Sequence, residues 1–309
     1  MKFQLAINLE RMDASLDMRE VARHTLEMVQ MAEAGGFKLA WSAEHHALEM
    51  TIAPDPFQIL TWWGAHTSKI RLGTAVAVAP YWHPIKLAGE AAFTDLITGG
   101  RLEFGIGSGA YQREFDRMYP GLKQTDGWKY MQEMLPAVLA LWQGDYEHKG
   151  EFWQFPTSTS VPKPLQQPHP PLWVAARAPI TYDFAVKHGL NIMSWPLTRP
   201  MSEAELYKSR LDEAMANNPG KTRPIFAMMR HTALYDRKED WMVPVRAAQR
   251  QAERDAAARA ERRRAEFYPE AAVFTDHRAL LRRSDVEVVD LALHPAERVQ
   301  AIEDVLRAR

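Results

Sequence analysis

Two textures alternate along this chain. Short apolar, β-branched runs are followed by longer stretches whose apolar residues recur every third or fourth position, the order expected when crossover helices join parallel strands. The pattern predicts strands over residues 3–9, 39–43, 70–79 and 101–106, with helices over 18–34, 56–66 and 84–97 between them. Gly35-Gly36 and Gly99-Gly100 supply stops for the first and third of these helices. Further on, a helix is predicted over 128–142, a small hairpin over 146–155 around Lys149-Gly150, and a Pro-rich extended connector over 162–171. Strands over 172–176, 191–195 and 225–234 follow, separated by helices over 181–188 and 202–216. Residues 245–267 are rich in Ala, Arg and Glu but poor in apolar anchors, which suits a solvated helix. An apolar run at 286–293 and a helical pattern at 296–306 supply an eighth pair.

Eight βα units close into a TIM (β/α)8 barrel, an α/β fold whose site lies at the carboxyl ends of the strands. The competing architecture, an open doubly wound sheet binding a dinucleotide, needs a Gly-rich turn after the first strand. Residues 10–17 contain no glycine. One barrel domain over 1–309 is therefore expected, with 245–309 as an atypical C-terminal segment on which barrel closure depends.

Composition narrows the partners. A chain of 309 residues suits one large α/β domain, since such barrels run to about 250 residues before insertions. The formal net charge of −1 offers no basic excess for nucleic acid or a membrane surface, so a small near-neutral or anionic organic partner is expected. The absence of cysteine excludes disulfides, thiolate metal sites, iron–sulfur clusters and Cys nucleophiles. The opening residues 1–11 lack the layout of a signal peptide, and no apolar run approaches the roughly 18 residues of a membrane span. A cytoplasmic enzyme is the expectation.

The densest chemistry lies in Ala43-Glu44-His45-His46, where a mostly apolar strand ends. Imidazoles and a carboxylate at a strand's carboxyl end put proton transfer at the barrel mouth. Adjacent histidines lack the i, i+4 spacing of a helical metal site, and no second carboxylate cluster accompanies them, so no metal is expected.

Several strings recur in register. AEHH at 43–46, RLGTAV at 71–76, His83-Pro84-Ile85 opening a helix, GRLEFGIGSGAY at 100–111, PLWVAARAP at 171–179 and Met193-Ser194-Trp195 together resemble the bacterial luciferase-like family of flavin-dependent monooxygenases. The resemblance is specific from residue 1 to about residue 200 and weakens after Leu234. It implies a TIM barrel using reduced FMN and O2 through a C4a-hydroperoxide, with the flavin supplied by a separate NAD(P)H-dependent reductase, and a homodimer formed through the second and third helices.

Roles follow from the same resemblance. His45 matches the catalytic histidine beside the isoalloxazine. Glu44 orients its neighbours or acts as a base, and His46 stands behind the flavin or meets substrate. Ala75-Val76 matches a non-prolyl cis bond behind the flavin ring, with Thr74 offering a hydroxyl. Gly105, Gly107 and Gly109 let the backbone approach a flat ligand. Many members carry an arginine where Ser108 stands, so the phosphate passes to Arg177, with Ala178 and Thr181 at the following helix N-terminus. Tyr111, Ser194 and Trp195 line the flavin, and Arg230 and His231 on the seventh strand are substrate candidates.

The tail departs from the pattern. Residues 274–281 and 285–294 resemble a piece of the glucose-fructose oxidoreductase and inositol dehydrogenase family, without its Gly-rich cofactor turn. They read as a divergent eighth βα unit, or as a fusion or truncation that leaves the barrel poorly closed. Two further functions compete: an oxidoreductase using the deazaflavin coenzyme F420 on the same barrel, and a catalytically silent flavin-binding paralogue.

Overall fold

The computed structural model describes residues 3–11, 15–47, 51–197 and 199–230, together with 237, 239, 242 and 246. All but those last four belong to the first of two units into which the chain divides, Met1–His231. Its elements run β1 (Leu5–Ile7), α1 (Met18–Ala34), β2 (Leu39–Ser42), α2 (Pro56–Ala65), β3 (Arg71–Thr74), β4 (Ala77–Val78), α3 (Pro84–Ile97) and β5 (Leu102–Gly107). Then come α4 (Gln112–Met118), α5 (Gly127–Gln143), the antiparallel hairpin β6 (Tyr146–Lys149) and β7 (Gln154–Ser158), β8 (Leu172–Ala175), α6 (Pro179–His188), β9 (Asn191–Ser194), α7 (Met201–Asn217) and β10 (Phe226–Met228). The barrel strands pair in the order β1-β2-β3-β5-β8-β9-β10, all parallel, with β4 continuing beside β5.

Local chemistry accounts for the boundaries. The side chains of Asp17, Asp55 and His83 each accept a backbone N–H in the first turn of α1, α2 and α3, and Pro56 and Pro84 occupy the position where a missing N–H costs nothing. The predicted strand over 70–79 is two pieces, β3 and β4, interrupted at Ala75-Val76. The predicted strand over 225–234 is only Phe226–Met228, and its later part, like the proposed eighth unit, lies outside the described residues. The helix α4 falls between the predicted strand over 101–106 and the predicted helix over 128–142, where the pattern predicts no element.

Successive strand residues point to opposite faces, and the two faces carry different cores. Leu72, Leu102, Phe104, Ile106, Leu172, Val174 and Ile192 belong to the large cluster that includes the helix residues Phe57, Leu60, Trp63, Leu87, Leu141 and Tyr182. The alternate positions Trp41, Ala75, Trp173, Met193 and Ala227 form a second cluster on the inner face. There Trp41 and Trp173 meet edge to face with ring centroids 5.1 Å apart. Trp173 Nε1 donates to Glu103 Oε2 at 2.6 Å, and Glu103 is paired with Arg71. This layer fills the strands' lower inner face. Within it Ala75 is small and partly exposed, as is Ala175, the next inward position of β8 after Trp173.

No described helix is long and apolar enough to cross a membrane.

Candidate active site

The loop leaving β2 is held by two carboxylates. Glu44 is fully buried: its Oε1 pairs with His46 Nε2 at 2.7 Å, and its Oε2 accepts from the Val78 backbone N–H at 2.7 Å and from Trp82 Nε1 at 2.8 Å. The second carboxylate comes from α4. Glu114 Oε2 lies 3.0 Å from His45 Nδ1, while its Oε1 accepts the His46 backbone N–H at 2.6 Å. Arg117, one turn on, donates to the Ala47 carbonyl, so α4 grips the loop at two places. His46 also packs its ring edge-on against Tyr81, with centroids 5.1 Å apart. His45 is partly exposed, and its ring lies 5.5 Å from that of Tyr111.

Burial pushes the Glu44 carboxyl up, and hydrogen bonds from His46, Trp82 and Val78 only partly offset this. A folded value above the unfolded one means that Glu44 adds stability only below its unfolded pKa, about 4.3, and that this contribution is lost as pH rises through the folded value. Glu44→Gln can still accept from Val78 and Trp82 and can donate to His46 Nε2. We therefore expect its stability relative to wild type to improve as pH rises from about 5 to 8. Urea titrations across that range check this, and a relative stability that falls with pH would contradict it.

At the ends of β3 and β5 the structure redraws the expected contacts. The Ala75–Val76 peptide is cis, the form the resemblance implies. Thr74 does not present its hydroxyl to a ligand: it lies on the helix-facing side, fully buried, donating to the Gly105 carbonyl at 2.7 Å and accepting from the Gly105 N–H at 2.9 Å. The glycines serve the protein's own packing. A Cβ on Gly107 would stand 2.5 Å from Val76 Cγ2, and one on Gly109 would stand 2.6 Å from the Phe115 ring. Ser108 is partly exposed, and its carbonyl is crowded by Gly127, where a Cβ would sit 2.0 Å from it. Tyr111 immediately precedes α4 and is 42% exposed, with its phenol pushed up by partial burial and then by Glu114.

At the ends of β8 and β9, Arg177 and Trp195 come together, the guanidinium carbon 5.9 Å from the ring centroid. Arg177 Nε also donates to the Tyr207 hydroxyl at 3.3 Å, and a guanidinium nitrogen stands 4.0 Å from Glu203. Ala178 begins α6 without a side-chain cap, and Thr181 is buried in the first turn. Ser194 is not at the mouth. It donates to the Ala176 carbonyl at 2.8 Å and shares a 2.6 Å hydrogen bond with Tyr182 on α6. Arg230 lies beyond β10 and donates to the Arg199 carbonyl at 2.7 Å, and His231 lies outside the described residues.

Two groups escaped the sequence reading, Glu114 and Tyr81. The buried Tyr81 hydroxyl has no hydrogen-bond partner among the described residues, an unmet capacity that a ligand atom or a bound water can satisfy. A flavin mononucleotide fits these residues in two respects. The uncapped N-terminus of α6 beside the exposed Arg177 suits a phosphate. The inward residues Ala75 and Ala175 are small and partly exposed, the side-chain size that a flat ring laid against the strand ends requires. A groove of mixed charge between α6 and α7, lined by Ile180, Asp183, Arg210 and Glu213, contains none of these residues.

Over residues 1–300 the chain matches the luciferase-like monooxygenase family. It belongs to that family. The oxygenase component of a flavin-dependent trigonelline monooxygenase from Acinetobacter baylyi is 45% identical over 243 residues, 79% of this chain and 68% of that protein. An FMNH2-dependent dimethylsulfone monooxygenase from Pseudomonas putida is 28% identical over 201 residues, and the chain spans only 52% of its length while 62% of the chain is covered. A monooxygenase of known structure from Streptomyces bottropensis superposes with a TM-score of 0.73 at 26% identity, covering 84% of this chain and 79% of that one. The barrel fold and the flavin-dependent monooxygenase class expected from the strings at 43–46, 71–76 and 100–111 therefore hold at the level of the family.

Proposed function

We propose that this protein is the oxygenase component of a two-component monooxygenase, binding reduced FMN delivered by a separate NAD(P)H-dependent flavin reductase and inserting oxygen from O2 into a small organic substrate. The observation that carries this reading is the His45 imidazole in the loop after β2, held through Nδ1 by a buried carboxylate of α4 and 5.5 Å from the Tyr111 ring. Bound reduced flavin supplies the electrons that activate dioxygen. His45 moves the proton which that step requires, at a nitrogen with no other protein partner among the described residues. Glu44 fixes His46 and the start of the β4 segment, so it positions rather than reacts. Arg177 and the first turn of α6 hold the phosphate. The apolar strand ends exclude water, which protects a reactive oxygen species from wasteful decay. Trigonelline, the substrate named for the relative at 45% identity, is the first compound to test. A homodimer through α2 and α3 is consistent with exposed Phe93, Leu96 and Ile97 on α3.

Anaerobic titration separates the cofactors. Reduced FMN should bind at micromolar concentrations or below, and reduced F420 more weakly. Tight binding of F420 with none of FMN would overturn the assignment.

A further inference from the structure

We propose that Glu114 is a positioning residue that fixes His45 as its Nδ1–H tautomer and so keeps Nε2 as the nitrogen available to the reaction. The inference rests on the reading of His45 given above only for its catalytic consequence; the tautomer itself follows from the protein's own hydrogen bonds.

Glu114 is 2% exposed, and both its oxygens are engaged by one dipeptide. Oε1 faces the His46 backbone N–H, a permanent donor, so that oxygen must accept. Oε2 faces His45 Nδ1, and an ionised carboxylate can only accept, so the imidazole must carry its proton on Nδ1. The clamp is rigid. Phe115, the next residue, is completely buried, and Arg117 holds the Ala47 carbonyl. The adjacent imidazole does not compete for the site, because His46 directs its Nε2 to Glu44 instead.

Glu114→Gln turns this geometry into a test. A carboxamide has one accepting and one donating end. The backbone N–H of His46 cannot change its role, so the amide oxygen must stay there and the amide NH2 must face His45 Nδ1. That nitrogen then accepts, and the proton moves to Nε2. In a serine-protease triad the equivalent carboxylate-to-amide change leaves the geometry intact and traps the wrong tautomer. Here the same inversion replaces the available acceptor of His45 by a donor, with little change in volume.

Long-range 1H–15N correlation of the imidazoles, with His45 assigned by the signal lost in His45→Ala, reads the tautomer without any flavin. We expect Nδ1–H in the wild type and Nε2–H in Glu114→Gln. In parallel, the delay before oxidised FMN appears when the reduced complex meets O2 should shorten by at least about tenfold, as in His45→Ala, and change its pH profile, with reduced-FMN affinity kept within about threefold. A wild-type Nε2–H tautomer, or no change in the variant, overturns the role of Glu114. An inverted tautomer with an unchanged delay and pH profile overturns the catalytic consequence and removes His45 from the chemistry. The wild-type tautomer alone decides the point should the variant not fold.

Discussion

His45→Ala is expected to bind reduced FMN with near wild-type affinity and to lose control of its reaction with O2. The two halves of this result separate because the groups that hold the cofactor and the group that moves the proton sit on different strands. Arg177 and the first turn of α6 follow β8, whereas His45 leaves β2 and is tied to α4. Removing the imidazole takes away no phosphate contact and leaves Glu114 Oε1 on the His46 N–H. Positioned proton transfer contributes about 10² to 10⁴ in rate, so coupled oxygenation should fall by at least about 100-fold. Anaerobic titration gives the affinity, and the yield of oxygenated product per reduced FMN consumed gives the coupling. Unchanged coupling would take His45 out of the mechanism. Lost binding with intact coupling at saturation would move it to the cofactor site.

Gly105→Ala is expected to destabilise the protein by at least about 3 kcal/mol, or to prevent folding, although it adds one methyl group. Gly105 lies mid-strand in β5, paired with Trp173 of β8 and bonded through its N–H and carbonyl to the Thr74 hydroxyl. A Cβ there would stand 2.0 Å from the Thr74 carbonyl oxygen and 3.0 Å from Met193 Cε. The methionine can swing aside, but the carbonyl belongs to the backbone of β3 and moves only if β3 and β5 separate. Gly144→Ala serves as the control: nothing lies within 4 Å of its would-be Cβ, and its φ of 179° is extended backbone open to any residue. Its cost should stay within about 0.5 kcal/mol. Urea midpoints of both variants decide the matter, and a Gly105→Ala loss below about 1 kcal/mol would contradict the close approach of β3 to β5.

The elements that were legible in the sequence are those with punctuation at both ends. Helices over 18–34 and 84–97 were predicted and are found at Met18–Ala34 and Pro84–Ile97, because Asp17 and His83 cap their starts and glycines follow their ends. The helix α4 has no such marks. It is seven residues long, follows the glycine-rich end of β5 and starts at Tyr111 without a side-chain cap. Its apolar positions, Phe115 and Met118, are too few to show a period. Missing α4 meant missing Glu114, although a carboxylate just before a buried aromatic was the available signal.

The alternation rule held information that a residue-by-residue reading of hydroxyls passed over. Thr74 follows the helix-facing Leu72 by two positions and Ser194 follows Ile192 by two, so period two already turns both away from the inner face. The same rule places Ala75, Arg177 and Trp195 with the inner-face residues Trp173 and Met193. The glycines misled for a different reason. Absence of a side chain signals a close approach without saying by what, and at Gly105 and Gly107 the approaching groups are Thr74 and Val76. Closure of the barrel by residues 286–306 concerns positions outside those described.

The central assignment is tested most directly by rapid mixing. The anaerobic complex of wild-type protein with reduced FMN is combined with aerated buffer, and the appearance of oxidised FMN is followed beside free reduced FMN under the same conditions. The expected result is a protein-dependent delay of at least about tenfold before oxidised FMN appears, abolished in His45→Ala. Oxidised FMN appearing at the rate seen in buffer, from a complex shown to be fully formed, would contradict an oxygenase and leave a flavin-binding protein without catalytic function.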